Sequence, residues 1–510
     1  MNTTRSLLLA SSYPRHRAFS RDAADPGAAA ERVWRETWWQ IEKSPFWRAR
    51  MGEPGRAIPP LSGFPITDYE TYRQPLEASF ASEHCELSGD PIRFWSVSAG
   101  TTGPRKLFPI TDHYRKQFQR TMPPFLHGLA RRFRGLGRRP TLYFAGSMPQ
   151  EHSPAGVEVG FISNYNYRHV PAFLRKLYAF PVEALRDGET FFEWGPLYAL
   201  ATDLSAIFGV TPAIMVRFFE RMAERIDQYW PILSGREPPP APLPPVRVST
   251  ERLARLRRAL SRNPVSLREV WPSLQFVCCW KSSTCGMQLP ALERHAQGRV
   301  PIIDAIYSAT EGWMNVPDAS GRAGGPLHPG AHVVEFLPEG VAPEARNLMS
   351  ATQLEEGCLY EVVLTTSMGL VRYQLKDLVR CTGRFARSPI IEFVQKTGSE
   401  ISLGPACVSE AELARALARA GVAASDRIVF APSPEGDCIQ LCHLGDAAAA
   451  DADAVDRALR EENDMYRRYA GDGTLRPVQA RRLTARHAAI EREHHAQTKP
   501  RMLLREPVID

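Results

Sequence analysis

Two short apolar runs, residues 274–280 and 301–307, most constrain what this chain can fold into. Each is too short for a core helix and lacks polar alternation, which is the pattern of a strand buried on both faces of a sheet. Helical spacing surrounds them. Residues 28–48 place Val33, Trp34, Trp38 and Ile41 on one face, and residues 112–129, 197–230 and 250–262 also read as helices. Pro65-Ile66-Thr67-Asp68-Tyr69 opens a further helix with Thr67 or Asp68 as its cap. Residues 141–145, 359–365 and 370–373 read as strands, the last two around a turn at Met368-Gly369. The expectation is a large mixed α/β domain.

Near residue 385 the texture changes. Short β-type runs at 390–394 and 401–403 precede a helix over 409–420, strands at 427–431 and 439–443, and a helical stretch at 453–469. That alternation suits a small α+β domain. With 510 residues, too many for one core, the expected division is residues 1–385 and 386–510, joined near residues 380–388.

Composition narrows the partners. At 44% apolar and 23% charged the chain is not globally disordered, and a net charge of +7 is modest for its length. The arginines of the stretch 131–139 read as a solvated helix end, so an anionic nucleotide is the expected partner and nucleic acid is not. Nine cysteines include no C-x-x-C pair and no Cys/His spacing suited to zinc. Cys278 and Cys279, adjacent in an apolar run, read as buried reduced thiols of a cytoplasmic protein. Residues 7–10 are too few for a signal-peptide core and no run reaches a membrane span, so a soluble protein with no membrane partner is expected. Composition is silent on oligomeric state.

Chemistry concentrates in four places. Val97 to Thr111 reads V-S-A-G-T-T-G-P-R-K-L-F-P-I-T. Ser98, Thr101 and Thr102 supply hydroxyls, Gly100 and Gly103 allow a tight backbone around Ala99, and Arg105 and Lys106 add charge. Such a loop can wrap a polyphosphate, though an ordinary Ser/Thr/Gly turn has the same composition. It is not a P-loop, because no Ser or Thr follows Lys106. Next, Tyr307, Ser308, Thr310 and Glu311 fall just past a strand end, where α/β sheets bind ligands. Tyr307 can stack a base and Glu311 can hold Mg²⁺; the alternative is a solvated turn. Third, Asp377 in R-Y-Q-L-K-D-L-V can accept both hydroxyls of a ribose, or simply pair with Lys376 or Arg380. Last, Lys499 in Q-T-K-P-R can neutralise an α-phosphate, or merely be solvated.

The order S-x-G-T-T-G-x-x-K, Y-S-A-T-E-G, Y-Q-L-K-D-L-V and a late Q-T-K-P-R resembles the GH3 acyl acid amido synthetases of the adenylate-forming superfamily. Phe64 to Tyr72, Val270 to Leu274, and Asn463 with Tyr466 add looser matches, so the resemblance spans nearly the whole chain. It implies a large adenylate-forming N-terminal domain, a small mobile C-terminal domain, and a ligase that uses ATP and Mg²⁺. A carboxylic acid would be adenylated with release of pyrophosphate, and an amine, usually an amino acid, would then displace AMP to give an amide. Carried over, Ser98, Ala99, Gly100, Thr101, Thr102 and Lys106 would hold phosphates, and Tyr307, Ser308 and Thr310 would line the adenine and acyl pocket. Glu311 would serve the metal, Asp377 the ribose, and Lys499 the α-phosphate. The alternatives are transfer to CoA or a carrier thiol, and a nucleotide-binding homologue without chemistry. With no fused carrier expected, the acceptor would be a free small molecule or a carrier supplied in trans.

The chain departs from that family at Ala99, at Lys376 where glycine is usual, and at Gln374 where arginine is usual. Residues 403–410 lack the lysine of the family's hinge-following segment, and Lys396 is the candidate to compensate. Aromatics at 161–167 and 173–180, with Arg168 and Arg175, suit an acyl pocket or plain packing. His113 and His332 have no triad partners and read as structural.

Overall fold

The computed structural model describes residues 2–52, 57–97, 106–146, 148–149, 151–170, 177–262, 264–398, 400–403, 406–422, 428–444, 451–483, 502–504 and 508. Four parallel strands, Thr141–Tyr143, Ala206–Phe208, Val277–Cys279 and Ile302–Asp304, lie side by side in that order. The two apolar runs therefore form buried strands of a parallel sheet, as expected. The strand Ala206–Phe208 was hidden inside the stretch read as one long helix. There the helix Gly188–Ala201 ends, and a new one, Pro212–Glu224, begins with proline at its first turn. Between them Asp203 bonds the Ser273 hydroxyl and Ser205 bonds the Arg139 carbonyl, which diverts these side chains from helix capping to tertiary contacts.

A second sheet carries Ile92–Val97 between antiparallel Leu107–Thr111 and parallel Glu158–Gly160. A third, six-stranded and antiparallel, is dominated by Leu359–Thr365, Tyr373–Phe385 and Ser388–Lys396. Its long strand starts at Tyr373, so Leu370 and Val371, read as strand, belong to the turn before it. The division drawn between residues 385 and 386 falls in the turn of the hairpin formed by its last two strands, and Ser388–Lys396 returns into the same sheet.

A smaller C-terminal body has its own core of Ile401, Leu413, Leu417, Phe430, Leu441, Val455, Leu459 and Tyr466. The helices Glu410–Arg419 and Ala452–Glu462 pack there against strands Ile428–Pro432, Ile439–Leu444 and Gln479–Leu483. The N-terminal helix Thr3–Ala24, which composition did not announce, is capped by Asn2 and lies against Met122–Arg132, with Arg5 Nε donating to the Ala130 carbonyl at 2.7 Å. None of the nine cysteines is paired in a disulfide, and burial pushes the Cys278 and Cys279 thiols well above their ordinary pKa.

Candidate active site

The strand Ile302–Asp304 ends in a buried carboxylate. Asp304 Oδ1 accepts the Lys281 and Ala305 amides at 3.0 Å, and Oδ2 accepts the Gly324 amide at 2.6 Å. Burial raises its pKa to about 6 against those three donors. These bonds fix the turn from which residues 305–312 depart. Further on, the Tyr307 amide donates to Asn315 Oδ1 at 2.7 Å and Tyr114 OH donates to the Thr310 carbonyl at 2.6 Å. At Gly312 a β-carbon would meet Leu364 Cδ2 at 2.8 Å and His332 Nε2 at 3.1 Å, so only glycine lets the segment pack this closely. The short hairpin is thus held by its backbone, with Tyr307 and Glu311 buried.

The strand Tyr373–Phe385 is braced from the other side. Buried Arg372 forks onto Glu335 at 2.6 and 2.9 Å and donates to the Phe64 carbonyl at 2.8 Å. Thr67 accepts the Gln374 amide and donates its own amide to the Arg372 carbonyl. The segment from Phe64 to Tyr72 therefore serves the site as a clamp on this strand's start. Exposed Lys376, at the position where glycine is usual in the resembled family, has φ +58°, a left-handed conformation open to glycine without cost. The next residue, Asp377, is buried.

Asp377 is where the pieces converge. Tyr307 OH donates to its Oδ2 at 2.7 Å, and Lys396 Nζ donates to its Oδ1 at 2.5 Å. Lys396 is also its direct cross-strand partner. Burial raises the Tyr307 phenol well above its ordinary pKa, and the Asp377 carboxylate adds to the shift. Burial also pulls the Lys396 ammonium down, yet Asp377 and, less strongly, Glu311 more than reverse this, and its pKa ends above the ordinary value. Glu311 has its pKa raised by burial and by Asp377, against the fields of Lys396 and Lys106. Lys106 is lowered by burial, while Glu311 pulls it back up. Its Nζ lies 3.5 Å from Tyr373 OH and 5.1 Å from the Tyr69 ring centroid. The result is a buried acid pair beside two lysines, Lys106 and Lys396, from separate segments.

Four of the expected residues, Lys106, Tyr307, Glu311 and Asp377, are therefore brought together. Ser308 and Thr310 sit half-buried on the short hairpin, and Thr310 contributes its carbonyl to Tyr114. Ser98, Ala99, Gly100, Thr101, Thr102 and Lys499 lie outside the described residues, as do Arg105, Arg175, Gly404 and Pro405. Arg168 pairs with Glu158 at 2.5 Å and with Asn164 at 2.8 Å. His113 bonds Asp90, and buried His332 lies between Gln117 and the Trp313 amide. Sequence reasoning missed Tyr69 and the Tyr373 hydroxyl as neighbours of Lys106, and it did not place Lys396 on Asp377. One signal existed: Asp377 and Lys396 are equidistant from the Ala386-Arg387 turn.

Among the described residues no three His, Cys, Asp or Glu side chains cluster as a metal cage. Magnesium bound with a nucleotide needs only one or two carboxylates beside the phosphates. Glu311 fits that demand: it is buried, its carboxylate is met by its own backbone amide, and among the described residues it closes no ion pair. No described helix is long and apolar enough to cross a membrane.

Comparison with known proteins bears on the family and the fold. Residues 62–302 match the GH3 family N-terminal domain and residues 325–396 the GH3 family central domain. A putative indole-3-acetic acid-amido synthetase of Oryza sativa subsp. japonica, GH3.10, is 31% identical over 158 residues, 30% of this chain and only 33% of that protein. A longer alignment to the probable indole-3-acetic acid-amido synthetase GH3.4 of the same plant is 24% identical and covers 78% of this chain and 70% of its relative. In three dimensions the chain superposes on the GH3.15 acyl acid amido synthetase with a TM-score of 0.79 at 15% identity, over 94% of this chain and 92% of that one. The fold, a large mixed α/β N-terminal domain followed by a smaller C-terminal one, is the same. The chain belongs to the GH3 family.

Proposed function

We propose that the protein is an ATP-dependent ligase that activates a carboxylic acid as its acyl-adenylate and passes the acyl group to an amine, most simply an amino acid. The observation that supports this best is the junction of Tyr307, Asp377, Glu311 and Lys106 in one cluster, drawn from the turn after the parallel sheet and from residues on or beside strands of the other two sheets. Asp377 would take the ribose hydroxyls, because a carboxylate accepts two hydrogen bonds at once. Tyr307, fixed by Asn315 and Asp377, would border the base. Lys106, with the hydroxyls of Ser98, Thr101 and Thr102, would meet the phosphates. Glu311 would hold the magnesium that travels with the nucleotide, and bound metal would supply charge neutralisation at the phosphates. Lys499 would bring the last cation to the α-phosphate.

The chemistry asks little covalent help of the protein. An oxygen of the substrate carboxylate attacks the α-phosphorus, the bond to the bridging oxygen breaks, and pyrophosphate leaves. In-line positioning and charge neutralisation account for most of such a step. The amine nitrogen then attacks the acyl carbon, the acyl–oxygen bond breaks, AMP departs, and the amine loses a proton. Relatives named as amido synthetases support the amine as acceptor.

The test is direct. Purified protein with ATP and magnesium is given a panel of carboxylic acids, and pyrophosphate release is followed. Acid-dependent release is expected, and amino acids are expected to yield an amide by product mass. Release with CoA as the sole productive acceptor would replace the amine by a thiol. ATP binding with no release across the panel would overturn the reading.

A further inference from the structure

In the free protein both oxygens of Asp377 are already engaged, Oδ2 by Tyr307 and Oδ1 by Lys396. A ribose diol arriving at this buried carboxylate must share it with both donors or displace one of them. Tyr307 is poorly placed to yield, since its ring is buried and its backbone is pinned to Asn315. Lys396 is better placed. Its side chain keeps about a third of its surface exposed (34%), its stem has four rotatable carbons, and it is the last residue of its strand. Its field also reaches Glu311 and Lys106, the groups assigned above to metal and phosphate.

On that reading of the site, we propose that Lys396 is a positioning residue that stands in for the nucleotide. In the free chain it keeps the buried Asp377 carboxylate paired and aimed. When the nucleotide enters, the ribose hydroxyls take Oδ1 and Nζ turns to a phosphate oxygen. One ion pair is exchanged for another, so neither the lysine nor the aspartate is left buried without a partner. The exchange also discriminates: adenosine would have to displace the ammonium while offering it no anion, whereas ATP supplies one.

Two measurements test this on the full chain. The first titrates ATP and adenosine calorimetrically into the parent protein, Lys396→Gln and Lys396→Arg. Lys396→Gln is expected to bind ATP about tenfold more weakly, the scale of one charge-assisted hydrogen bond, and adenosine no more weakly than the parent. Lys396→Arg is expected to keep the ATP-to-adenosine ratio within a few-fold of the parent. Parallel weakening of both ligands, or an unmoved ratio, overturns the proposal. The second uses the unsubstituted protein and an amine-reactive label read by mass spectrometry. Adenosine is expected to raise labelling of Lys396 and ATP to leave it protected; no rise with adenosine overturns the proposal. A parent protein that binds no ATP and releases no pyrophosphate would instead sink the ligase reading itself.

Discussion

Tyr307 and Asp377, 70 residues apart in sequence, close a 2.7 Å hydrogen bond at the centre of the site. The bond joins the turn after the parallel sheet to a strand of the antiparallel one, so it ties two separately built layers together at the point where a ligand would sit. Because its acceptor is a carboxylate, it belongs to the stronger class of hydrogen bonds. Tyr307→Phe keeps the ring and removes the donor, and is expected to cost about 1.5–3 kcal/mol of stability in urea unfolding. ATP affinity should fall with it, because Asp377 loses one of the two groups that aim it. Unchanged stability would mean that the bond is not formed in solution.

Asp377→Ala removes the acceptor itself. Calorimetry should show ATP affinity reduced by about 1.5–3 kcal/mol, the scale for a charged hydrogen bond. The variant should also melt earlier, since it leaves Lys396 and the Tyr307 hydroxyl without their common partner. Unaltered affinity would count against the ribose role.

For Glu311 the sign of the pH effect follows from burial. Its raised pKa means that ionisation needs a higher pH than an exposed glutamate. At subsaturating ATP and magnesium, where the free site sets the rate, pyrophosphate release should therefore fall on the acid side at a pH above the ordinary carboxylate range, and bound magnesium should move that limb back down. Glu311→Gln should lower the rate by a factor on the order of 10²–10³, typical for loss of a group that stabilises developing charge, and should abolish that acid limb. A full-rate Glu311→Gln variant would remove Glu311 from the metal.

Much of this site was legible because Tyr307, Glu311 and Asp377 each stand in a contiguous motif whose local spacing survives folding. Lys396 was noticed as a spare cation, but its partner was not. That pairing depends on a hairpin whose two register shifts, at Leu378/Val379 and Cys381/Gly383, cancel and return Lys396 opposite Asp377. Such shifts are set by tertiary packing rather than by pattern. The strand Ala206–Phe208 escaped notice for a related reason. Three apolar residues between two helices carry too few turns of either period to be told apart, and it is the pairing with Thr141–Tyr143 on one side and Val277–Cys279 on the other that defines the strand. The Thr3–Ala24 helix likewise draws its stability from docking on Met122–Arg132, with Pro14 inside it.

Lys499 carries the part of the proposal that rests on family resemblance. If it acts only in the closed arrangement, Lys499→Ala should slow acid-dependent pyrophosphate release by a factor on the order of 10² while calorimetric ATP affinity stays within a few-fold. Equal rates in variant and parent would contradict its role at the α-phosphate.

His332 gives a stability test independent of any ligand. The Trp313 amide donates to its Nε2, at 3.4 Å, and its Nδ1 faces Gln117 Oε1 at 3.2 Å, an arrangement that suits the neutral ring with its proton on Nδ1. Burial, followed by nearby Arg120 and His328, depresses its pKa to about 3, and His328 is depressed to about 3 in the same way. Unfolding frees each ring to its ordinary value of 6.5, so below that pH the unfolded chain binds protons that the folded chain refuses. Stability is thus fully present above about pH 6.5 and declines toward pH 3, by about 1.4 kcal/mol per pH unit for each histidine. Asp304 works in the opposite sense. Its folded pKa near 6 exceeds the ordinary 3.8, so between those values the folded chain is the one that takes up the proton, and the loss is softened. Urea unfolding between pH 4.5 and 8 should therefore show a decline that sets in near pH 6.5 and holds a nearly constant slope below about pH 6. His332→Gln should flatten that decline by the share of one proton, and an unchanged slope would show that the ring titrates normally in the fold.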